Sequence, residues 1–174
     1  MSLTADVEGM RLTVPAGWWI WKYDDSVFHQ GGFQNFAGGS KAVDAVALEP
    51  DGTLWLIELK DYRRNPRRKP SSVFDEMASK VRSTLAGLAV ARVSAGDAKE
   101  RTRAGQALGC ARLRVVLQLA QAGKQHRLFR QVVDPVDGDI QLRRAVKQVD
   151  SQPICAAGSL GDQNARLRWK TVDI

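Results

Sequence analysis

Short apolar runs broken by turn residues fill the first third of the chain, and a long stripe at helical spacing follows them. Residues 18–23 are aromatic and β-branched, which predicts an early strand, while residues 24–40, with Gly31, Gly32, Gly38 and Gly39, predict turns and glycine-bent backbone. Residues 42–48 and 54–60 are two apolar runs on either side of Glu49-Pro50-Asp51-Gly52-Thr53, the strongest hairpin signal present. Phe74, Met77, Val81, Leu85 and Leu88 repeat along one face and predict a helix over 72–93, opened by a capping box of Ser72 and Asp75. Residues 113–120 predict a buried strand, with 127–133 as its antiparallel neighbour across 121–126. Residues 141–149 predict a second helix and 166–172 a final strand. Together these elements predict an α/β domain around a mixed sheet.

The turn fixes which side chains meet across the hairpin. Pro50 suits the first central position of a type I turn, Asp51 the second, and Gly52 the left-handed residue of a G1 bulge, which makes a three-residue loop. Glu49 then opposes Thr53, Leu48 opposes Leu54, Val46 opposes Leu56 and Asp44 opposes Glu58, all on one face. Lys60, two residues beyond Glu58, joins that face. A two-residue loop would place Asp44 opposite Leu59, away from Glu58. The other face carries Val43, Ala45, Ala47, Trp55, Ile57 and Leu59, so both faces are largely apolar and the strands are predicted to be central.

The 174 residues carry 26 Lys+Arg against 19 Asp+Glu, a net charge of +7, and 44% are hydrophobic. That is enough apolar material for one cored domain, and it excludes collagen-like, coiled-coil and low-complexity chains. The division predicted is a loop-rich segment 1–40, a core 41–150 and a C-terminal extension 151–174. Apolar stretches are strand-sized and the first residues lack a signal-peptide pattern, so a cytoplasmic protein without membrane partner is expected. Cys110 and Cys155 are too few for a disulfide framework or thiolate zinc site. The positive charge makes an anionic partner plausible.

Two carboxylates on one face, Asp44 and Glu58, suit a hard divalent cation held through oxygen. Lys60 beside them can stabilise the negative charge that grows on a phosphodiester under attack by water. The stretches Lys41-Ala42-Val43-Asp44 and Leu56-Ile57-Glu58-Leu59-Lys60-Asp61-Tyr62 resemble the core of the PD-(D/E)xK nuclease superfamily, and of nuclease-related domains in particular. The resemblance covers about residues 41–90. It implies a restriction-endonuclease-like mixed central sheet flanked by helices. It implies too that Asp44, Glu58 and the Leu59 carbonyl bind Mg2+ or Mn2+, and that Lys60 is the catalytic lysine of a DNA nuclease. Val43 stands where the motif proline would be, and no Q-x-x-x-Y pattern follows. Members often add an upstream glutamate from a helix. Glu8, Asp24 and Asp25 are the candidates here, none in a predicted helix.

Arg63, Arg64, Arg67, Arg68 and Lys69 follow the proposed catalytic strand, as a loop tracking a phosphate backbone or as a solvated loop. Lys99, Arg101, Arg103, Arg112 and Arg114 are read as a second basic segment on a loop leading into the next strand. Trp18, Trp19 and Trp21 are read as core, and Cys110 as a small buried side chain. Lys80 is read as structural, paired with Glu76 on the exposed side of the helix. His29 and His126 receive no role and are read as hydrogen-bonded or exposed imidazoles; the lesser alternative puts His29 and Gln30 near the mouth of the site, in contact with substrate. The alternative to a nuclease is a non-catalytic nucleic-acid-binding module or a subunit of a defence or repair complex; a basic protein that contacts an acidic protein partner ranks below both. A homodimer would fit a fold whose enzymes cut both strands.

Overall fold

The computed structural model describes residues 3–63, 67–122 and 131–174. Its centre is a five-stranded sheet in the order β3-β4-β5-β6-β7, formed by Trp19–Lys22, Ala45–Leu48, Thr53–Asp61, Arg112–Ala120 and Ile154–Gly158. Strands β3, β4 and β5 run antiparallel, and β5, β6 and β7 run parallel, so the sheet is mixed and β5 is its middle strand. A second, three-stranded antiparallel sheet joins β1 (Thr4–Val7), β2 (Met10–Thr13) and β8 (Lys170–Asp173) in the order β1-β2-β8. Helices α1 (Val27–Gln30), α2 (Val73–Ser94), α3 (Ala98–Leu108), α4 (Gly138–Val146) and α5 (Leu160–Arg166) complete the α/β architecture. Among the described residues no helix is long and apolar enough to cross a membrane.

The hairpin forms as its turn chemistry dictates. Gly52 takes φ +83, its N–H donates to the Glu49 carbonyl at 3.1 Å, and the Glu49 N–H donates to the Thr53 carbonyl at 2.9 Å. The register that follows is Leu48 with Leu54, Ala47 with Trp55, Val46 with Leu56 and Ala45 with Ile57. One more step sets Asp44 against Glu58. Val46, Leu54, Leu56, Val115 and Leu117 face α2, α3 and α4 in one core. Ala45, Ala47, Trp55, Ile57 and Leu59 face the second sheet in another, with Trp18 and Trp169. Trp18, Trp19 and Trp21 are all buried, as their pattern predicts. Helix α2 starts one residue after Ser72, whose hydroxyl accepts from the Phe74 N–H rather than closing a box with Asp75.

Several expected elements differ. Residues 98–108 are helix α3, not a loop, because Ala104 and Ala107 build its buried face and carry no bulky apolar period. Its start was nevertheless encoded: Asp97 accepts from the Lys99 N–H at 2.7 Å and Glu100 follows in the first turn. The expected antiparallel partner of β6 at 127–133 lies largely outside the described residues. Its described end, 131–133, is not strand, and the neighbours of β6 are β5 and β7. The second helix spans 138–146 rather than 141–149, and 160–166 is helical ahead of β8. The segment 1–40 is not simply loop-rich. A hairpin turns at Glu8 and Gly9, both at positive φ, and its second strand, β2, pairs with β8, so the two chain ends share one sheet.

Candidate active site

Asp44 stands one residue before β4, and Glu58 and Lys60 lie near the end of β5 on the face that packs against α2. Asp44 is 5% exposed and Glu58 2%. The Asp44 Oδ2 accepts from the Leu59 N–H at 2.7 Å, which ties the two strand ends together where the ladder stops. A residue of an extended strand projects its N–H and C=O to the same edge, so the Leu59 carbonyl also lies on the Asp44 side. Lys60 Nζ is 2.9 Å from Glu58 Oε1 and 4.0 Å from Asp44 Oδ2. The predicted trio and the Leu59 backbone therefore converge.

A second ammonium joins them. Lys80, from the second turn of α2, places Nζ 2.5 Å from Glu58 Oε1 and 3.6 Å from Asp44 Oδ1. The expectation that Lys80 pairs with Glu76 on the exposed face is thus incorrect: Glu76 binds Arg67 at 2.7 Å and Ser71 instead. The missed signal was positional. Lys80 is three residues after Met77 and four before Thr84, both buried, so it lies on the inward stripe. Thr84 is itself part of the frame, since its Oγ1 accepts from the Val43 N–H at 3.0 Å and fixes the backbone beside Asp44.

Burial and the neighbouring Asp44 push the Glu58 carboxyl up to about 7, against the pull of Lys80 and Lys60. Burial acts to lower the Lys60 ammonium, but Glu58, Asp44 and Glu8 together outweigh it and hold it above its ordinary value, so it stays charged. Glu58 Oε2 is buried and has no hydrogen-bond partner among the described residues. Such an orphaned oxygen, beside a second carboxylate and a strand-end carbonyl, is the hard-oxygen donor set a divalent cation takes. Asp44, Glu58 and the Leu59 carbonyl are the oxygen donors that could hold a divalent cation here; no cluster of three or more His, Cys, Asp or Glu side chains occurs among the described residues.

The three upstream carboxylates have separate fates. Glu8, on the β1–β2 turn, accepts from Lys60 Nζ and from the Asp61 N–H, each at 3.0 Å, and so steadies the lysine. Asp25 is exposed and pairs with Lys22. Asp24 lines a cleft of about 510 Å3 with His29, Ser40, Lys41 and Lys80. Its Oδ1 is buried without a partner among the described residues, and burial, Asp44 and Asp25 raise its carboxyl to about 6. His29, on α1, is buried against the same cleft, and burial followed by Lys80 lowers its imidazole below the ordinary value. Glu100 of α3 holds that helical turn by accepting from the Val27 and Phe28 N–H groups at 2.8 and 2.9 Å.

The basic loop is partly engaged by the protein itself. Arg63 binds Asp61 and Asp173, and Arg67 binds Glu76 and the Tyr62 hydroxyl. Arg68 and Lys69 are exposed, and Arg64 lies outside the described residues, as does His126. Three residues of the second basic segment are built into the fold, while Lys99 and Arg112 are exposed. Arg101 donates to the Ala95 and Gly96 carbonyls, Arg103 sits over Trp21, and Arg114 binds Asp150. Cys110 is half-buried rather than buried.

No family model matches the chain, and no solved structure matches it. A stretch of 99 residues is 34% identical to a protein named cysteine–tRNA ligase from Neisseria meningitidis serogroup A. The match takes in 52% of this chain and 14% of that protein, so the chain spans a small part of its relative's length.

Proposed function

We propose that the chain is a Mg2+- or Mn2+-dependent nuclease that hydrolyses phosphodiester bonds of DNA at Asp44, Glu58 and Lys60. The observation that carries this reading is the meeting of two buried carboxylates at the ends of central strands, one with an unpartnered oxygen, beside a lysine held charged. Asp44, Glu58 and the Leu59 carbonyl would hold the cation, which when bound polarises the phosphate and makes water a better nucleophile. Lys60 orients the attacking water and offsets the charge that develops on the phosphate. Lys80 holds the Glu58 carboxylate in place from α2. Among the described residues of the loop, Arg68 and Lys69 offer the backbone the least encumbered charges, since Arg63 and Arg67 are already ion-paired.

A second reading rests on the same lysines. Both ammonium groups lie within 2.9 Å of Glu58 Oε1, so the site's carboxylate charge is met by the protein's own cations. That suits a nucleic-acid-binding module, or a subunit of a defence or repair complex, that keeps the fold without turnover. The partial likeness to a protein named for tRNA puts RNA in the substrate panel beside DNA.

Cleavage of supercoiled plasmid, linear duplex, single-stranded DNA and RNA with Mg2+, Mn2+ or EDTA decides between them. The nuclease reading expects metal-dependent cutting that Lys60→Ala and Glu58→Ala abolish, with binding largely intact in Glu58→Ala. Equal cutting by Glu58→Ala overturns the mechanism. Salt-sensitive binding with no cutting by any form selects the binding module.

A further inference from the structure

Five buried side-chain polar atoms lack a partner among the described residues, and four of them belong to Tyr23, Asp24, His29 and Glu58, around one end of the sheet. Natural proteins leave few such groups, and two of these residues, Asp24 and His29, line one cleft. The cleft of about 510 Å3 beside Lys80 is of a size that takes small ligands. Its wall carries two cations, Lys41 and Lys80, and the 6% exposed imidazole of His29.

An aromatic row runs outward from the same wall. The Tyr23 and His29 rings are 5.7 Å apart, His29 and Phe33 6.3 Å, and Phe33 and Phe36 5.5 Å, the last pair stacked at 19°. Phe36 is 63% exposed, the one exposed aromatic side chain among the described residues. It sits between two cleft residues, Gln34 and Gly38, where two short 3-10 turns within Phe33–Gly38 meet at a kink. Exposing a phenyl ring costs the folded chain a favourable burial, and an exposed flat ring is a platform on which unpaired bases stack.

We infer that this cleft seats one unpaired nucleotide next to the scissile phosphate, with Phe36 as its stacking surface and His29 as a hydrogen-bonding partner of the base edge. The substrate is then single-stranded nucleic acid or the frayed end of a duplex, because a paired base is already stacked on its neighbours and hides its edge. The inference rests on the nuclease reading for the identity of the adjacent phosphate site.

The test is binding in EDTA, where cutting is off, of a single-stranded DNA oligonucleotide carrying 2-aminopurine, its blunt duplex and the matching RNA strand. The expected result is that a single strand binds at least about tenfold tighter than the duplex, with quenching of the 2-aminopurine emission. Phe36→Ala weakens that binding about tenfold or more and removes the quenching, while Phe36→Trp keeps both. His29→Gln, with folding checked by circular dichroism, weakens single-strand binding and leaves duplex binding as it was. Equal affinity for duplex and single strand, or unchanged affinity and quenching in Phe36→Ala, overturns the inference. Phe36-dependent single-strand binding without Mg2+-dependent cutting would remove the nuclease and keep the cleft. Cutting with Phe36-independent binding would do the reverse.

Discussion

Lys80 Nζ lies 2.5 Å from Glu58 Oε1, so a helix side chain meets the carboxylate at the end of the central strand. The contact is largely shielded, with the Lys80 side chain 16% and that of Glu58 3% exposed. Removing one cation from a buried cluster leaves carboxylate charge less compensated, a change that costs about 3 kcal/mol or more when a buried pair is broken. Lys80→Ala is therefore expected to lower the urea unfolding free energy by about that amount and to slow cleavage at least about tenfold. An unchanged unfolding midpoint would show that the pair does not hold the site.

Thr84 acts one step further back. Its hydroxyl accepts from the buried Val43 N–H, and Val43 precedes Asp44. Thr84→Val keeps the shape and removes the acceptor, leaving a buried donor unsatisfied at a cost of about 1–3 kcal/mol. The expected signature is faster hydrogen exchange at the Val43 amide and slower cleavage, with nucleic-acid affinity unchanged. Unaltered exchange at Val43 would count against it.

The hairpin was legible because two levels agreed. Pro50-Asp51-Gly52 set the turn, the turn set the register, and the register put Asp44, Glu58 and Lys60 on one face. Helix α2 was legible from its bulky stripe, yet Lys80 on that stripe passed for a surface residue because a lysine usually is one. Helix α3 escaped because alanines bury without giving a strong period. The β1–β2 hairpin escaped because four-residue strands carry little alternation, and its union with β8 joins residues more than 150 positions apart, beyond the reach of local pattern. That union matters to the site, since it carries Glu8 to Lys60 and Asp173 to Arg63.

The pH response of the metal-free protein follows from Glu58. Its carboxyl titrates near 7 when folded, above the ordinary 4.5. The native state then keeps a proton that the unfolded chain releases, so stability falls as pH rises from about 4.5 to about 7 and stays at the lower level above that. Asp24, raised to about 6, acts in the same direction over the lower part of that window. In EDTA the melting temperature is expected to fall by several degrees across this range, and Glu58→Gln should flatten the fall. Added Mg2+ should raise the melting temperature more above pH 7 than near pH 5, because the cation needs the ionised carboxylate. A Mg2+ effect independent of pH would argue against Glu58 as a ligand.

The loop arginines divide by what already holds them. Arg63 is ion-paired to Asp61 and Asp173 at 2.7 and 2.6 Å, and Arg67 to Glu76 at 2.7 Å, so recruiting either to a phosphate means giving up a bond in hand. Arg68 is exposed, and the nearest acidic atom to the Lys69 ammonium, Glu76 Oε2, is 4.0 Å away, a weak hold. Each phosphate neutralised contributes about 0.7 to the log–log salt slope on single strands and about 0.9 on duplex. Arg68→Ala and Lys69→Ala are each expected to lower the slope by about that amount in anisotropy titrations across a salt series. Arg63→Ala should change the slope less, and should instead lower the melting temperature by releasing β8 from the end of β5. A full loss of slope from Arg63→Ala with Arg68→Ala silent would invert the assignment and place the backbone on the β8 side of the site.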